Sequence, residues 1–300
     1  MRLLCSAGVE VDRTIEAGET ALHCRMAHGD TAAAAEVLPE FRADVNRTYG
    51  PSNRTALHVA SANGHHELVK LVCGAGARIE QVGAEGAAPL HLAIAFGGTE
   101  AVAVLLDCET DVNCVTEKYG FTPLHIAAKG GSAELLRVMC AAGAKVDAIP
   151  SDGLTVLCYA VHFGTVNVAA ALLVGGADVD RVDAHGKTAL HWSVYSGNSA
   201  PAVTTLLDAG ADINRPSGHK HRTALHLAAL LGRAEPARQL SASGAKVDFK
   251  KCGGKDSPPP GGADGRGRRG AGSAGPWGRP VRYARRRGAP AARRRGRGGG

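Results

Sequence analysis

One four-residue phrase recurs along this chain at nearly constant spacing. TALH stands at 20–23 and 55–58, APLH at 88–91, TPLH at 122–125, TVLC at 155–158, and TALH again at 188–191 and 223–226. The steps between them are 35, 33, 34, 33, 33 and 35 residues. Six residues after each His (or Cys158) comes a glycine: Gly29, Gly64, Gly97, Gly131, Gly164, Gly197 and Gly232. A second phrase closes most units, as in GARIE (76–80), GAKVD (143–147), GADVD (176–180), GADIN (210–214) and GAKVD (244–248). A period of this length means stacked supersecondary units, each too small to bury its apolar face alone.

The unit around residues 122–143 shows how such a repeat is built. Thr122 is a good N-cap, because its hydroxyl can accept a hydrogen bond from a free N–H of the first turn. Pro123 suits the first helical position, where its missing N–H costs nothing. The pattern predicts a short helix over about 123–129, with small Ala127 and Ala128 letting a neighbour approach closely. Gly131 permits a turn into a second helix over about 133–141, and Gly143 supplies a left-handed C-cap. A loop then projects before the next Thr. The predicted fold is an all-α solenoid of helix–turn–helix units with projecting β-turn loops.

At these residues the sequence resembles the ankyrin repeat family, whose unit of 33 residues is a β-turn plus two antiparallel helices carrying T-P-L-H-x-A. Residues 183–197, DAHGKTALHWSVYSG, follow the family's fuller D-x-x-G-x-T-x-L-H pattern. The resemblance divides the chain into the end of a truncated repeat (1–13), seven repeats (14–252) and a tail (253–300). It implies that His23, His58, His91, His125, His191 and His226 are structural, each tying its own loop to the next. Cys158 departs from the pattern, and the bond there is expected to be lost or weakened.

Catalytic and metal readings find no support in the motifs. The sequence holds no C-x-x-C, H-E-x-x-H, G-x-S-x-G, P-loop or kinase signature. Cys5, Cys73 and Cys140 share one repeat position, which marks them as helix residues facing the core. His65-His66 reads as a solvated turn. No metal, cofactor or catalytic residue is expected, and the chain is read as non-enzymatic.

Solenoids work through their surface. The resemblance implies that a partner is gripped by loop tips and the outward residues of the first helices. Of the ten aromatic residues within 1–252, five (Phe96, Tyr119, Phe121, Phe163 and Tyr195) fall on these positions. Lys118, His185 and Lys187 lie beside them at loop tips. Aromatic anchors among polar residues are what interface hot spots are enriched in, so these eight residues are the expected binding face on the concave side. The competing expectation is that some of the rings pack between neighbouring repeats.

Charge separates the tail from the rest. Residues 253–300 hold 12 Arg and one Lys against two Asp, which is +11, so the chain's +7 leaves −4 on residues 1–252. With 15 Gly and 6 Pro as well, the tail cannot bury enough apolar surface to offset chain entropy and is expected to be disordered. Its arginine clusters could contact nucleic-acid phosphates or act as a nuclear signal; equally, its composition is what GC-rich codons or a shifted frame would produce. No run approaches the ~20 apolar residues of a membrane-spanning helix, and the start of the chain lacks a signal-peptide layout. The expected protein is a cytoplasmic or nuclear monomer that binds a protein or peptide. The alternatives are a nuclear or nucleic-acid-associated regulator using the tail, or a fragment of a larger enzyme or channel bearing such repeats.

Overall fold

The structure is a computed structural model that describes residue 14 and residues 19–29, 43–163, 165–196, 199–218 and 221–247. The expectations for residues 1–13 and for the tail lie outside these residues.

Each unit is a pair of short helices. The first helices are α1 (Ala21–His28), α2 (Ala56–Asn63), α4 (Pro89–Leu92), α6 (Pro123–Gly130), α8 (Val156–Phe163), α10 (Ala189–Ser193) and α12 (Ala224–Leu230). The second helices are α3 (His66–Gly74), α5 (Thr99–Asp107), α7 (Ala133–Ala141), α9 (Val166–Val174), α11 (Ser199–Asp208) and α13 (Ala234–Ala242). Among the described residues β structure is confined to two isolated bridges, Tyr49–Arg54 and Ser217–Arg222. No described helix is long and apolar enough to cross a membrane.

Burial differs between the two helix rows, and sequence explains it. First helices are sandwiched between neighbours, so Ala56 to Ala62 are all buried, as are Pro123 to Ala128 and Val156 to Val161. Small Ala60, Ala127, Ala128 and Ala160 make that close approach possible. Second helices are amphipathic and bury one stripe, such as Leu68, Val69 and Val72 in α3 or Leu135, Leu136 and Met139 in α7. Stacking merges these stripes into one core running from Leu22 to Ala245.

The variations in repeat length have physical causes. Repeat three carries one extra residue, and it lies in the loop: Glu109 to Thr122 is 13 residues against 12 from Gly76 to Ala88, while Ala88 to Glu109 is 21, as Thr55 to Gly76 is. Within that unchanged length a π-helical turn at Ala93–Gly97 directly follows α4. The left-handed turn glycine there is therefore Gly98 (φ 87°) rather than Gly97, the position that strict spacing predicts. Each step of 35 residues likewise has one added residue in its loop, where the turns that end in the Tyr49–Arg54 and Ser217–Arg222 bridges place Asn53 (φ 51°) and His221 (φ 46°) in the left-handed region. In the second of these steps the other added residue lies within the helix pair, since Thr188 to Gly210 is 22 residues against 21 from Thr122 to Gly143.

Candidate protein-interaction surface

The recurring T-x-L-H phrase is a capping box in which histidine takes the place of glutamate. In repeat two, Thr55 N–H donates to His58 Nδ1 at 3.1 Å, while His58 N–H donates to Thr55 Oγ1 at 3.4 Å. The same pair of contacts opens α1, α6 and α10. An Nδ1 that accepts must be unprotonated, which places the proton on Nε2. That nitrogen faces the next loop, 3.0 Å from Arg47 O for His23, 3.2 Å from Ala87 O for His58 and 3.1 Å from Arg222 O for His191. Two positions differ. His91 Nε2 lies 3.8 Å from Cys114 Sγ, and His125 Nε2 is buried with no hydrogen-bond partner within reach. His125 instead packs its ring against Phe121 (6.1 Å) and the edge of Tyr159 (5.7 Å). His226, in the last described repeat, holds Thr223 Oγ1 at 2.7 Å. Burial drives His58, His91, His125 and His191 down from 6.5 to about 4, so these rings are neutral.

The closing phrase makes a second ladder that spacing alone did not explain. Its final Asn, Asp or Glu accepts a backbone N–H one repeat ahead: Asn46 from Arg78, Glu80 from Asp111, Asn113 from Lys145, Asp147 from Asp178, Asp180 from Asp212 and Asn214 from Lys246, all at 2.7–3.2 Å. Together the two ladders fix the loops relative to one another. The loop tips and the ends of the first helices are thereby held on fixed supports.

On that frame the aromatic residues join into a chain of ring contacts across repeats four to six. Tyr119 stacks on Phe121 at 5.6 Å, Phe121 meets Tyr159 edge-on at 5.6 Å, and Tyr159 stacks on Phe163 at 5.6 Å. His162 then links Phe163 (4.3 Å) to Trp192 (5.1 Å), and Trp192 lies 5.6 Å from Tyr195. Three lysines ride on the rings. Lys118 Nζ is 5.2 Å from the Tyr119 centroid, Lys129 Nζ is 6.0 Å from that of Phe163, and Lys187 Nζ is 4.6 Å from Trp192 and 4.9 Å from Tyr195. Two carboxylates hold the rings from beneath: Asp152 accepts the Tyr159 hydroxyl, and Asp183 accepts Trp192 Nε1–H at 2.7 Å. Burial, followed by the Asp152 contact, pushes the Tyr159 phenol above its usual range.

The expected anchors therefore separate by exposure. Phe163 is 51% exposed, while Tyr119 and Tyr195 are half-buried. Phe121 is only 8% exposed and belongs to the core, which corrects its expected place on the open face. Its loop folds back, with Phe121 N–H donating to Thr116 Oγ1 at 3.1 Å, and this turns the ring inward. Phe96 lies one repeat earlier against Ala62, Ala87 and Leu92. Lys118 and His185 are exposed at loop tips, and Lys187 is half-buried. Tyr159 and Trp192 were not expected. Their signal was present, since each follows the phrase's fourth residue and pairs with a ring one helical turn on, Tyr159 with Phe163 and Trp192 with Tyr195.

The helix pairs, the His capping boxes and the loop ladders define an ankyrin solenoid, and the chain belongs to the ankyrin repeat family: the model of "Ankyrin repeats (3 copies)" matches residues 1–82, 76–150 and 146–217. The mouse B-cell lymphoma 3 protein homolog is 30% identical over 246 residues, covering 80% of this chain and 47% of the relative. Human ankyrin repeat and SOCS box protein 16 is 32% identical over 195 residues, covering 65% of this chain and 37% of the relative. The chain thus spans less than half the length of these curated relatives. Among solved structures, the Bcl-3 ankyrin repeat domain, described as a member of the IkappaB protein family, superposes with a TM-score of 0.67 at 26% identity, covering 76% of this chain and all of that one. The human ASB11 ankyrin repeat domain does so with 0.66 at 27% identity, covering 75% and 97%.

Proposed function

We propose that this chain is a non-enzymatic adaptor that holds a protein or peptide on the concave strip formed by Phe163, Tyr195, Trp192 and Tyr119 with Lys118, Lys129 and Lys187. The observation that carries this reading is the continuous run of ring contacts from Tyr119 to Tyr195, with an open Phe163 at its middle. A soluble monomer rarely spends a row of aromatic side chains on its surface without using their area for contact. His185 and Phe96 extend the same face at the loop edge and at repeat three. Relatives whose names make them ligases or channels share only part of their length with this chain, as with the "Probable E3 ubiquitin-protein ligase XBOS32" of rice at 23% of its length, which supports reading the shared part as a binding module.

The test is to substitute Phe163→Ala and Tyr195→Ala, singly and together, in the full chain. Partners are recovered by crosslinking, and the affinity of each is then measured. Truncating one true hot spot costs ~2 kcal/mol or more, about thirtyfold in affinity. Phe163 faces solvent, so its loss is expected to shift folding stability by less than ~0.5 kcal/mol. Lost binding with an unchanged melting curve supports an interface. A sharp drop in melting temperature from Phe163→Ala would show that the strip is packing.

A further inference from the structure

The donors and acceptors of the aromatic strip are unequally committed. Asp152 spends Oδ1 on Leu154 N–H (3.1 Å) and Oδ2 on the Tyr159 hydroxyl. Asp183 spends Oδ1 on the N–H groups of His185 and Lys187, both at 2.8 Å, and Oδ2 on Trp192. The lysines are the opposite case. None of Lys118, Lys129 and Lys187 has a carboxylate of a described residue within 4 Å, and each is instead held over a ring face. An ammonium group offers three donors and no acceptor. The strip therefore has charged donors to spare, while the two carboxylates bonded to its rings are occupied.

Resting on the binding-strip reading above, we propose that the partner is an acidic polypeptide segment that lies extended along the strip, its carboxylates on Lys118 and Lys187 and an apolar side chain between them on Phe163. Charge-assisted N–H···O bonds between ammonium and carboxylate are about twice as strong as neutral ones, and the rings beneath keep the lysines in place. Lys118 precedes repeat four and Lys187 precedes repeat six, so two repeat steps separate them. At helix-packing distances of about 10 Å per step that is about 20 Å, which about six extended residues span. A nucleic acid fits less well. Phosphate recognition draws on many cations rather than three.

The test selects peptides from a displayed random library of 12-residue sequences on the full chain, with counter-selection on the full-chain variant Lys118→Gln, Lys129→Gln, Lys187→Gln. Both proteins keep residues 253–300, so peptides captured by the basic tail are removed by the subtraction. The expected survivors are rich in Asp and Glu around an apolar centre. They should bind the triple variant at least tenfold more weakly, lose at least tenfold on Phe163→Ala, and weaken as salt rises from 50 to 300 mM. Survivors without acidic enrichment, or no peptide that distinguishes the two proteins, overturns the acidic partner. If peptides then still depend on Phe163 and Tyr195, the binding strip stands and only its charge preference fails. If none depends on those rings, the strip itself fails. A fluorescent single-stranded 20-mer RNA losing tenfold on the triple variant, when no acidic peptide does, would assign the lysines to nucleic acid instead.

Discussion

Glu109 shows what a single departure from the repeat does to the backbone. It occupies the place that Gly76, Gly143, Gly176, Gly210 and Gly244 hold elsewhere, and it sits at φ 64° with its side chain exposed. A residue with a Cβ pays roughly 1–2 kcal/mol to adopt that conformation, while glycine's extra freedom in the unfolded chain returns about 0.4–1 kcal/mol of this. Glu109→Gly is therefore expected to stabilise the protein by about 0.5–1 kcal/mol in urea unfolding. A loss of stability would mean that the Glu109 side chain makes a favourable contact that offsets its backbone. Cys158 is the second departure. It is fully buried, its thiol is pushed up to about 12 by burial, and its N–H still donates to Thr155 Oγ1 at 3.2 Å. By analogy with His58 on Ala87, an imidazole here would meet Lys187 O, which already accepts Asp183 N–H at 2.8 Å and has a second lone pair. Cys158→His is expected to add about 1 kcal/mol, the typical net value of one intramolecular hydrogen bond. An unchanged or lower unfolding midpoint would show that the site has closed around sulfur.

At the scale of the element, the helix pairs could be read from sequence because each is punctuated by its own chemistry. Thr and Pro mark the first helix, glycine the turn, and Gly-Ala its exit. The predicted second helix of repeat four matches Ala133–Ala141, and the first extends only to Gly130. What the sequence concealed was where an added residue would go. A spacing of 34 cannot say whether a loop lengthens or a helix widens, since that is decided by packing of the neighbouring helices. In repeat three it is the loop that lengthens, with 13 residues from Glu109 to Thr122 against 12 from Gly76 to Ala88, while the π-turn at Ala93–Gly97 leaves the second helix in register and keeps Ile94 and Leu92 in the core. Deleting Gly97 would leave this helix pair one residue shorter than its neighbours and pull the second helix out of register, so a loss of thermal stability is expected. An unchanged melting temperature would show that the π-turn can be removed without cost. The binding strip was half legible for a related reason. Positions on loop tips can be named from the period, but Phe121 and Tyr119 are only two residues apart, and the fold of the loop alone decides which ring turns inward.

The whole molecule inherits a property from its buried histidines. His58, His91, His125 and His191 titrate near 4 in the folded chain against 6.5 as the ordinary value, with burial as the main cause in each. Burial also lowers His23. The geometry agrees, because a second proton on Nδ1 of His58, His125 or His191 would face the N–H and hydroxyl of its own Thr, and on His91 the N–H of Ala88, all of which now point at that lone pair. Between pH 4 and 6.5 the unfolded chain thus binds more protons than the folded one, and stability must rise with pH across that window. The contribution is complete above about 6.5 and is lost as pH falls towards 4. One such group supplies at most about 1.4 kcal/mol per pH unit, so four together approach about 5 kcal/mol per unit at their steepest. Because each ring belongs to a different repeat of one stacked array, the loss is spread over repeats two, three, four and six of the solenoid. Urea unfolding at pH 8, 7, 6 and 5 measures this. We expect nearly equal midpoints at 8 and 7 and a fall of several kcal/mol between 6 and 5. The proton count from the slope should drop by about one when His191 is replaced by Gln. A flat profile from 6.5 to 5 would mean that the imidazoles charge in place, and the neutral form assigned to them would be wrong.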